Sequence, residues 1–251
     1  MVVKQRINDI HVHLGKSSII NQHLKLEDLL KFRKKNNIEN FALISLDCEI
    51  SKNNKSIIRL SKKHKFIHGL YWIRKERIPN DIDILKKTLG DGIIGVKFHG
   101  VFENKKVTSK IYDPIMKLLQ EKKAVLLIHC GRFKDGSPSS NSSFVHALKI
   151  AKKYPKIKVI LAHMGGNDTS VVKKAINAAR NIPNTFFDTS GISTPYRIEY
   201  GVQVIGAKRI LFGSDFPWCS HRGMYFGVED ALISKKDKEL ILNKNFLNLI
   251  S

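Results

Sequence analysis

INDIHVHLG, Ile7 to Gly15, sets an acid and two histidines on alternate positions of a segment that otherwise has the apolar, β-branched character of a strand. In an extended chain, side chains at i, i+2 and i+4 share a face. Asp9, His11 and His13 are therefore predicted to point one way, and Ile10, Val12 and Leu14 the other. One face is chemical and the other apolar, and the rest of the chain decides what the chemical face meets.

Seven further short runs rich in Ile, Val, Leu and Phe follow, separated by lysine-studded amphipathic segments. The strand candidates are RINDIHVHL (6–14), ENFALISL (39–46), FIHGLYWI (66–73), GIIGVKFHG (92–100), AVLLIHC (124–130), KVILAHMG (158–165), NTFFDTS (184–190) and RILFGSD (209–215). Helical candidates include 24–37, 83–89, 113–123, 143–154 and 171–180. Each interval has the length of one βα unit, and no Gly- or Pro-rich linker divides the series. The prediction is α/β, a TIM (β/α)8 barrel forming a single domain over 1–251. An open doubly wound sheet would hold the same elements. Against the nucleotide-binding versions of that fold, no GxGxxG follows the first strand, and neither GxxxxGKS nor GxxxxGKT occurs.

The polar residues then fall at strand ends. His99 closes the fourth candidate, His129 the fifth, His163 the sixth and Asp215 the eighth, while His11 and His13 lie on the first. In a barrel all strand C-termini open onto one face, so these distant positions converge. Imidazole and carboxylate suit a borderline divalent ion, and a catalytic site needs three or four protein ligands plus a position for water. His11, His13, His129 and Asp215 are the expected ligands. Asp215 is also placed to accept a proton from metal-bound water, whose pKa falls from near 16 to roughly 7. His163 is expected as a further ligand or as a catalytic acid–base group, and Asp9 as a support that orients one of the histidines. In GVKFHG the alternation puts Lys97 and His99 on one face. Three roles stay open for an inward lysine: binding a substrate anion or an internal carboxylate, bridging metals as a carbamate, or structural support. His99 taken alone is as readily a packing residue, and His23, His64, His68 and His146 read as structural or surface positions.

With 251 residues and 42% apolar content, the chain can bury a sizeable core. No apolar run approaches the roughly 18 to 20 residues needed to span a bilayer, and the first strand begins too early for a signal peptide, so a cytoplasmic protein is expected. Cys48, Cys130 and Cys219 are odd in number and lack CxxC spacing, which argues for reduced thiols over disulfides or a thiolate zinc site. The balance of 44 basic to 22 acidic residues, net +22, would ordinarily suggest nucleic acid. Lysine, however, outnumbers arginine 34 to 10. Pairs such as Lys34-Lys35, Lys62-Lys63, Lys152-Lys153 and Lys173-Lys174 fall on successive helical segments, not along one stripe. A solvated lysine-rich surface explains this better than a polyanion partner.

INDIHVHLG, IGVKFHG, VLLIHCG, VILAHMGG and LFGSDFPW, in this order, resemble the amidohydrolase superfamily, in particular its amidohydrolase-2 branch of metal-dependent barrel hydrolases and decarboxylases. The likeness runs from Ile7 to the closing ILNKNFLNLIS, in a chain that is short for the branch. The HxH pair with a strand-8 GSD is specific to the superfamily, whereas no motif specifies a substrate. The resemblance implies that His11, His13, His129 and Asp215 hold the metal, commonly zinc, with one ion or two left open. It also implies that His163 acts on substrate or binds a second ion, and more weakly that the protein is a homodimer.

The leading expectation is a hydrolase, in which water activated by the metal and Asp215 attacks an amide, ester or lactone carbonyl of a small anionic substrate. The alternative is a non-oxidative decarboxylase, with His163 or Asp215 returning a proton to carbon. Lys97, His99, Arg132, His221 and Arg222 are candidates for the substrate's carboxylate. Phe216 and Trp218 are candidates for an apolar wall. A TatD-like nuclease shares the HxH start, but that family places a glutamate near the end of strand 4, where this chain has Lys97 and His99. GRFKDGSPSSNSS (131–143) has the composition of a lid or of a plain solvent loop.

Overall fold

A computed structural model of the chain describes residues 5–133, 137–138 and 140–251, with the backbone alone for 132, 133, 137 and 138. Eight strands carry the predicted alternation: β1 (Ile7–Ser17), β2 (Ile38–Ser45), β3 (Ile67–Trp72), β4 (Ile93–Phe98), β5 (Val125–Ile128), β6 (Lys158–Leu161), β7 (Thr185–Asp188) and β8 (Ile210–Leu211). Each is parallel to the next and hydrogen-bonded to it in chain order. Closure comes from the chain around β8 meeting β1: Ile10 N donates to Phe212 O at 2.9 Å, Asp215 N to His11 O at 2.8 Å and His13 N to Phe216 O at 2.9 Å. The result is the expected barrel, with no sheet edge left between first and last strands. The end of β1 also turns back in an antiparallel hairpin with Gln22–Leu24.

One detail of β1 departs from simple alternation. The β1–β2 register shifts between Asp9 and Val12. Ile10 joins a small cluster with inward-facing residues such as Ile44, Leu70, Leu127, Ile160 and Leu211, whereas Val12 and Leu14 pack in the large cluster between strands and helices. A bulge of this kind re-aims side chains locally. It lets Ile10 fill the barrel while His11 and His13 still reach the open face. Phe246 and Leu249 of the C-terminal helix Asn245–Ile250 join the same inner cluster.

The outer layer consists of α1 (Leu26–Lys35), α2 (Ile50–Lys63), α3 (Ile78–Thr88), α4 (Asp113–Glu121), α5 (Phe144–Lys153), α6 (Thr169–Ala179), α7 (Pro195–Ile205) and α8 (His221–Glu229). Local chemistry explains several boundaries. Pro114 sits in the first turn of α4, where its missing N–H costs nothing, and the Ser143 hydroxyl accepts from Val145 N at the start of α5. Helix α2 has a sequence that argues weakly for a helix, SKNNKS, because asparagine and serine compete for backbone groups. Tertiary bonds compensate: Asn54 bonds both the N–H and the C=O of Trp72, and Asn53 donates to Ser45 Oγ and Cys48 O. Among the described residues no helix is long and apolar enough to cross a membrane.

Candidate metal centre

Two of the functional strand ends carry non-glycine residues in left-handed backbone, His163 at φ 57° and Asp215 at φ 57°. That conformation costs of order 1 kcal/mol or more for a residue with a Cβ, and persists where the surroundings over-determine it. Here it ends β6 and β8 sharply and leaves both side chains lining the same cavity. Gly213 allows a close approach beside them: a Cβ there would stand 3.2 Å from the Cβ atoms of both His11 and Asp188.

The cavity, of about 370 Å³, is lined by His11, His13, Lys97, His99, His129, His163, Asp215 and Trp218, together with Trp72, Phe102, Asp47 and Asn167. His11, His13 and Asp215 form one compact group whose ligand atoms lie within 4.8 Å of one another. Asp215 Oδ1 stands 2.9 Å from His13 Nε2 and 3.4 Å from His11 Nε2. The other nitrogens are taken: His11 Nδ1 meets Asp188 Oδ2 at 3.0 Å, and His13 Nδ1 meets Ser45 O at 2.9 Å. These are the outer partners that direct Nε2 of a histidine toward a metal.

The donor set passes a test of fit. Both nitrogens of His13 face oxygens that accept, the Ser45 carbonyl and the Asp215 carboxylate, and a neutral imidazole has only one N–H to give. A positive centre between Nε2 and Oδ1 resolves the conflict, and a divalent ion there would be held by His11, His13 and Asp215. Lys97 Nζ stands 2.9 Å from His11 Nε2, so its hydrogen bond would be exchanged for the ion.

Electrostatics follow from burial. Desolvation pushes His11 down to about 4, aided by Lys97 and opposed by the two nearby aspartates. Desolvation also pulls the Lys97 ammonium down to about 8, and His99 and His129 well below the usual imidazole range. Burial alone would raise Asp215, but the charge of His11 and the hydrogen bond from His13 outweigh it and hold the carboxyl well below the usual range. Burial thus favours neutral imidazoles at His11, His99 and His129 beside an ionised Asp215.

Several expectations change here. His129 stands apart from the compact triad: its ring stacks on His99 at 3.9 Å and 11°, and its Nδ1 lies 3.0 Å from His163 Nε2. Asp9 orients no ring. Its Oδ1 accepts from the backbone N–H of His11 at 3.0 Å and of Ser214 at 2.9 Å, bracing β1 against the chain leaving β8. Asp188, at the end of β7 in NTFFDTS, does the orienting; it occupied a strand end like the others, and that position was the available signal. His221 and Arg222 do not line the cavity but clefts beside Lys35 and Asn36, one of them shared with Trp218 and Cys219, because α8 begins at His221 and turns them away from the triad. Phe216 stacks on Phe32 at 4.0 Å, in the layer between barrel and helix, leaving Trp218 as the lining residue of that pair. The side chain of Arg132, and residues 134–136 and 139 of the 131–143 segment, lie outside the described residues.

The chain belongs to the amidohydrolase family, whose model matches residues 20–245. The match begins after the HxH strand, so the structure itself places that strand against the rest. No curated protein matches the chain in sequence. Among solved structures it is similar to 2,6-dihydroxybenzoate decarboxylase from Rhizobium, at 16% identity and TM-score 0.77 over 98% of each chain. It is also similar to 5-carboxyvanillate decarboxylase from Novosphingobium aromaticivorans complexed with manganese and 4-hydroxy-3-methoxy-5-nitrobenzoic acid, at 13% identity and TM-score 0.78 over 98% and 95% of the two chains. A third is dihydroxybenzoic acid decarboxylase from Polaromonas sp. JS666 with bound manganese and 2-nitroresorcinol, at 18% identity and TM-score 0.73 over 98% and 97%. At these identities the likeness establishes the fold.

Proposed function

We propose that the protein is a metal-dependent decarboxylase acting on a small planar carboxylic acid, aromatic or conjugated. The observation that carries this reading is the stack of parallel rings bordering the same cavity as the triad. Trp72 and His99 lie within 16° of parallel at 5.8 Å, and His99 and His129 within 11° at 3.9 Å, so the three ring systems form one stack with His99 in the middle. Asn54 clamps the backbone of Trp72, and Phe102 meets both Trp72 and His99 edge-on. A cavity bordered by such a stack offers ring faces and edges, and a planar ring meets either favourably, by offset stacking or edge-to-face. The decarboxylases that share the fold are named for ring acids, and two of them hold a ring inhibitor or a ring acid, which supports the same reading.

A divalent ion bound by His11, His13 and Asp215 would supply positive charge to the substrate's carboxylate and to the charge left when carbon dioxide departs. Two imidazoles and a carboxylate suit zinc and manganese alike, so metal titration decides between the expected zinc and the manganese of the similar structures. Lys97 adds a buried cation beside the triad, still charged at neutral pH with its pKa near 8. The carbon–carbon bond breaks with its electron pair remaining on the ring carbon, and a proton from an acid in the cavity replaces the carboxylate. Asp215 lines the cavity and, being ionised, would relay a proton first taken from water or from the substrate; His163 lines the cavity too, but its Nε2 already faces His129.

Hydrolysis is the second reading, favoured by one observation: Asp215 is held ionised, the state a base needs to take a proton from water. Hydroxybenzoates and conjugated acids assayed beside lactones and amides, with carbon dioxide release monitored, separate the two. Carbon dioxide from a ring acid supports decarboxylation; turnover of lactones or amides alone overturns it.

A further inference from the structure

Asp188 is buried at the end of β7 and does not line the cavity. Its Oδ1 accepts from His163 N at 3.0 Å, Ser190 N at 3.1 Å and Ser190 Oγ at 2.5 Å, and its Oδ2 from His11 Nδ1 at 3.0 Å. Counting donors and acceptors outward from this carboxylate assigns the ring protons around it. A carboxylate only accepts, so His11 carries its proton on Nδ1 and presents a lone pair at Nε2. The Ser190 carbonyl also only accepts and lies 3.0 Å from His163 Nδ1. Ser190 Oγ, having given its proton to Asp188, accepts from the same nitrogen at 2.9 Å. His163 therefore carries its proton on Nδ1, and a neutral ring offers a lone pair at Nε2. That lone pair faces His129 Nδ1 at 3.0 Å, so His129 donates there and is left with its own lone pair at Nε2.

We propose that Asp188 is a positioning residue that sets the tautomer of His11 directly, and of His163 and His129 through the Ser190 turn. The role rests on the metal site proposed above. It leaves Nε2 as the acceptor nitrogen on two histidines of the cavity, His11 and His129, from a single buried carboxylate. His163 is then occupied in holding His129.

Asp188→Asn tests this sharply. Three N–H and O–H donors converge on Oδ1, so the amide oxygen must stay there and its NH2 must replace Oδ2 opposite His11 Nδ1. His11 can then only accept at Nδ1, and its proton moves to Nε2, which faces Asp215 at 3.4 Å and displaces the Lys97 ammonium now 2.9 Å away. Imidazole 15N shifts of the metal-free protein near neutral pH read the tautomers without any metal. The wild type is expected to show Nδ1–H on His11, His129 and His163, and Asp188→Asn to show Nε2–H on His11. Zinc affinity, measured by chelator competition, is expected to fall by about 10- to 100-fold in the variant. An Nε2–H form of His11 in the wild type overturns the proposal even where the variant does not fold. So does a variant that keeps the wild-type His11 shifts and zinc affinity. A wild type that binds no zinc or manganese but shows the expected tautomers counts against the metal-dependent function alone.

Discussion

The two sides of the cavity are built by different physics. On the side of β1 and β8, every functional group is fixed by directional hydrogen bonds: His11 by Asp188, His13 by Ser45 O, and the backbone beneath by Asp9. On the side of β3 to β5, Trp72, His99 and His129 are stacked face to face, with hydrogen bonds at the two ends of the stack, between Asn54 and the Trp72 backbone and between His129 and His163. Hydrogen bonds fix an atom's direction, as a metal requires, whereas stacked rings fix a plane and tolerate sliding, as a substrate face requires. The largest effect is expected on the first side. His11→Ala and Asp215→Ala should each lose the bound ion and reduce turnover by about 10³-fold or more while the protein stays folded. Metal analysis and circular dichroism check this. Variants that keep the ion and full activity would erase the distinction between the two sides.

A third imidazole sharpens the contrast because it has neither kind of support. His221 is buried, and among the described residues neither ring nitrogen has a hydrogen-bond partner; its neighbours include the rings of Phe32 and Phe212, edge-on at 5.3 and 5.2 Å. Burial alone pushes it down to about 4, the value His11 reaches amid competing charges. The unfolded chain takes up this proton near pH 6.5, whereas the folded protein resists until about pH 4, so stability falls as pH drops through that window. His221→Phe removes the term and two unpartnered nitrogens. Between pH 7 and pH 5 the variant should lose about 2 kcal/mol less stability than the wild type in urea titrations. Equal losses would mean that the ring finds a partner on protonation.

The same division explains what the sequence reveals and what it hides. The barrel is legible because each strand repeats one apolar pattern, and the triad because His11 and His13 alternate along the first strand and Asp215 follows the last. The packed side is partly hidden: Lys97 and His99 show by alternation, but the place of Trp72 in the stack depends on Asn54, from a helix whose polar sequence conceals it. The outward turn of His221 and Arg222 is hidden for another reason. It depends on where α8 begins, and two glycines, Gly223 and Gly227, weaken the helical signal in that stretch.

Trp72→Phe addresses the packed side. The smaller ring keeps an aromatic face but reduces the stack, so KM for a planar acid should rise by about threefold to tenfold, with bound metal and kcat little changed. A fall in kcat with unchanged KM would place Trp72 in the chemistry, and the two sides would no longer divide the labour.

The smallest effect is expected from Arg222→Ala. By motif alone this arginine, seven residues beyond Asp215, is a natural clamp for a substrate carboxylate. Its place in the cleft with Lys35 and Asn36, away from the triad, removes it from that task. Unlike Lys97, it does not line the cavity of the triad, although it shares a neighbouring cleft with Trp218 and Cys219. Activity and KM should therefore stay within about twofold of wild type. A tenfold rise in KM would show that the loop from Asp215 to α8 rearranges when substrate binds. Substrate affinity would then draw on a charge outside the cavity as well as on the stacked rings.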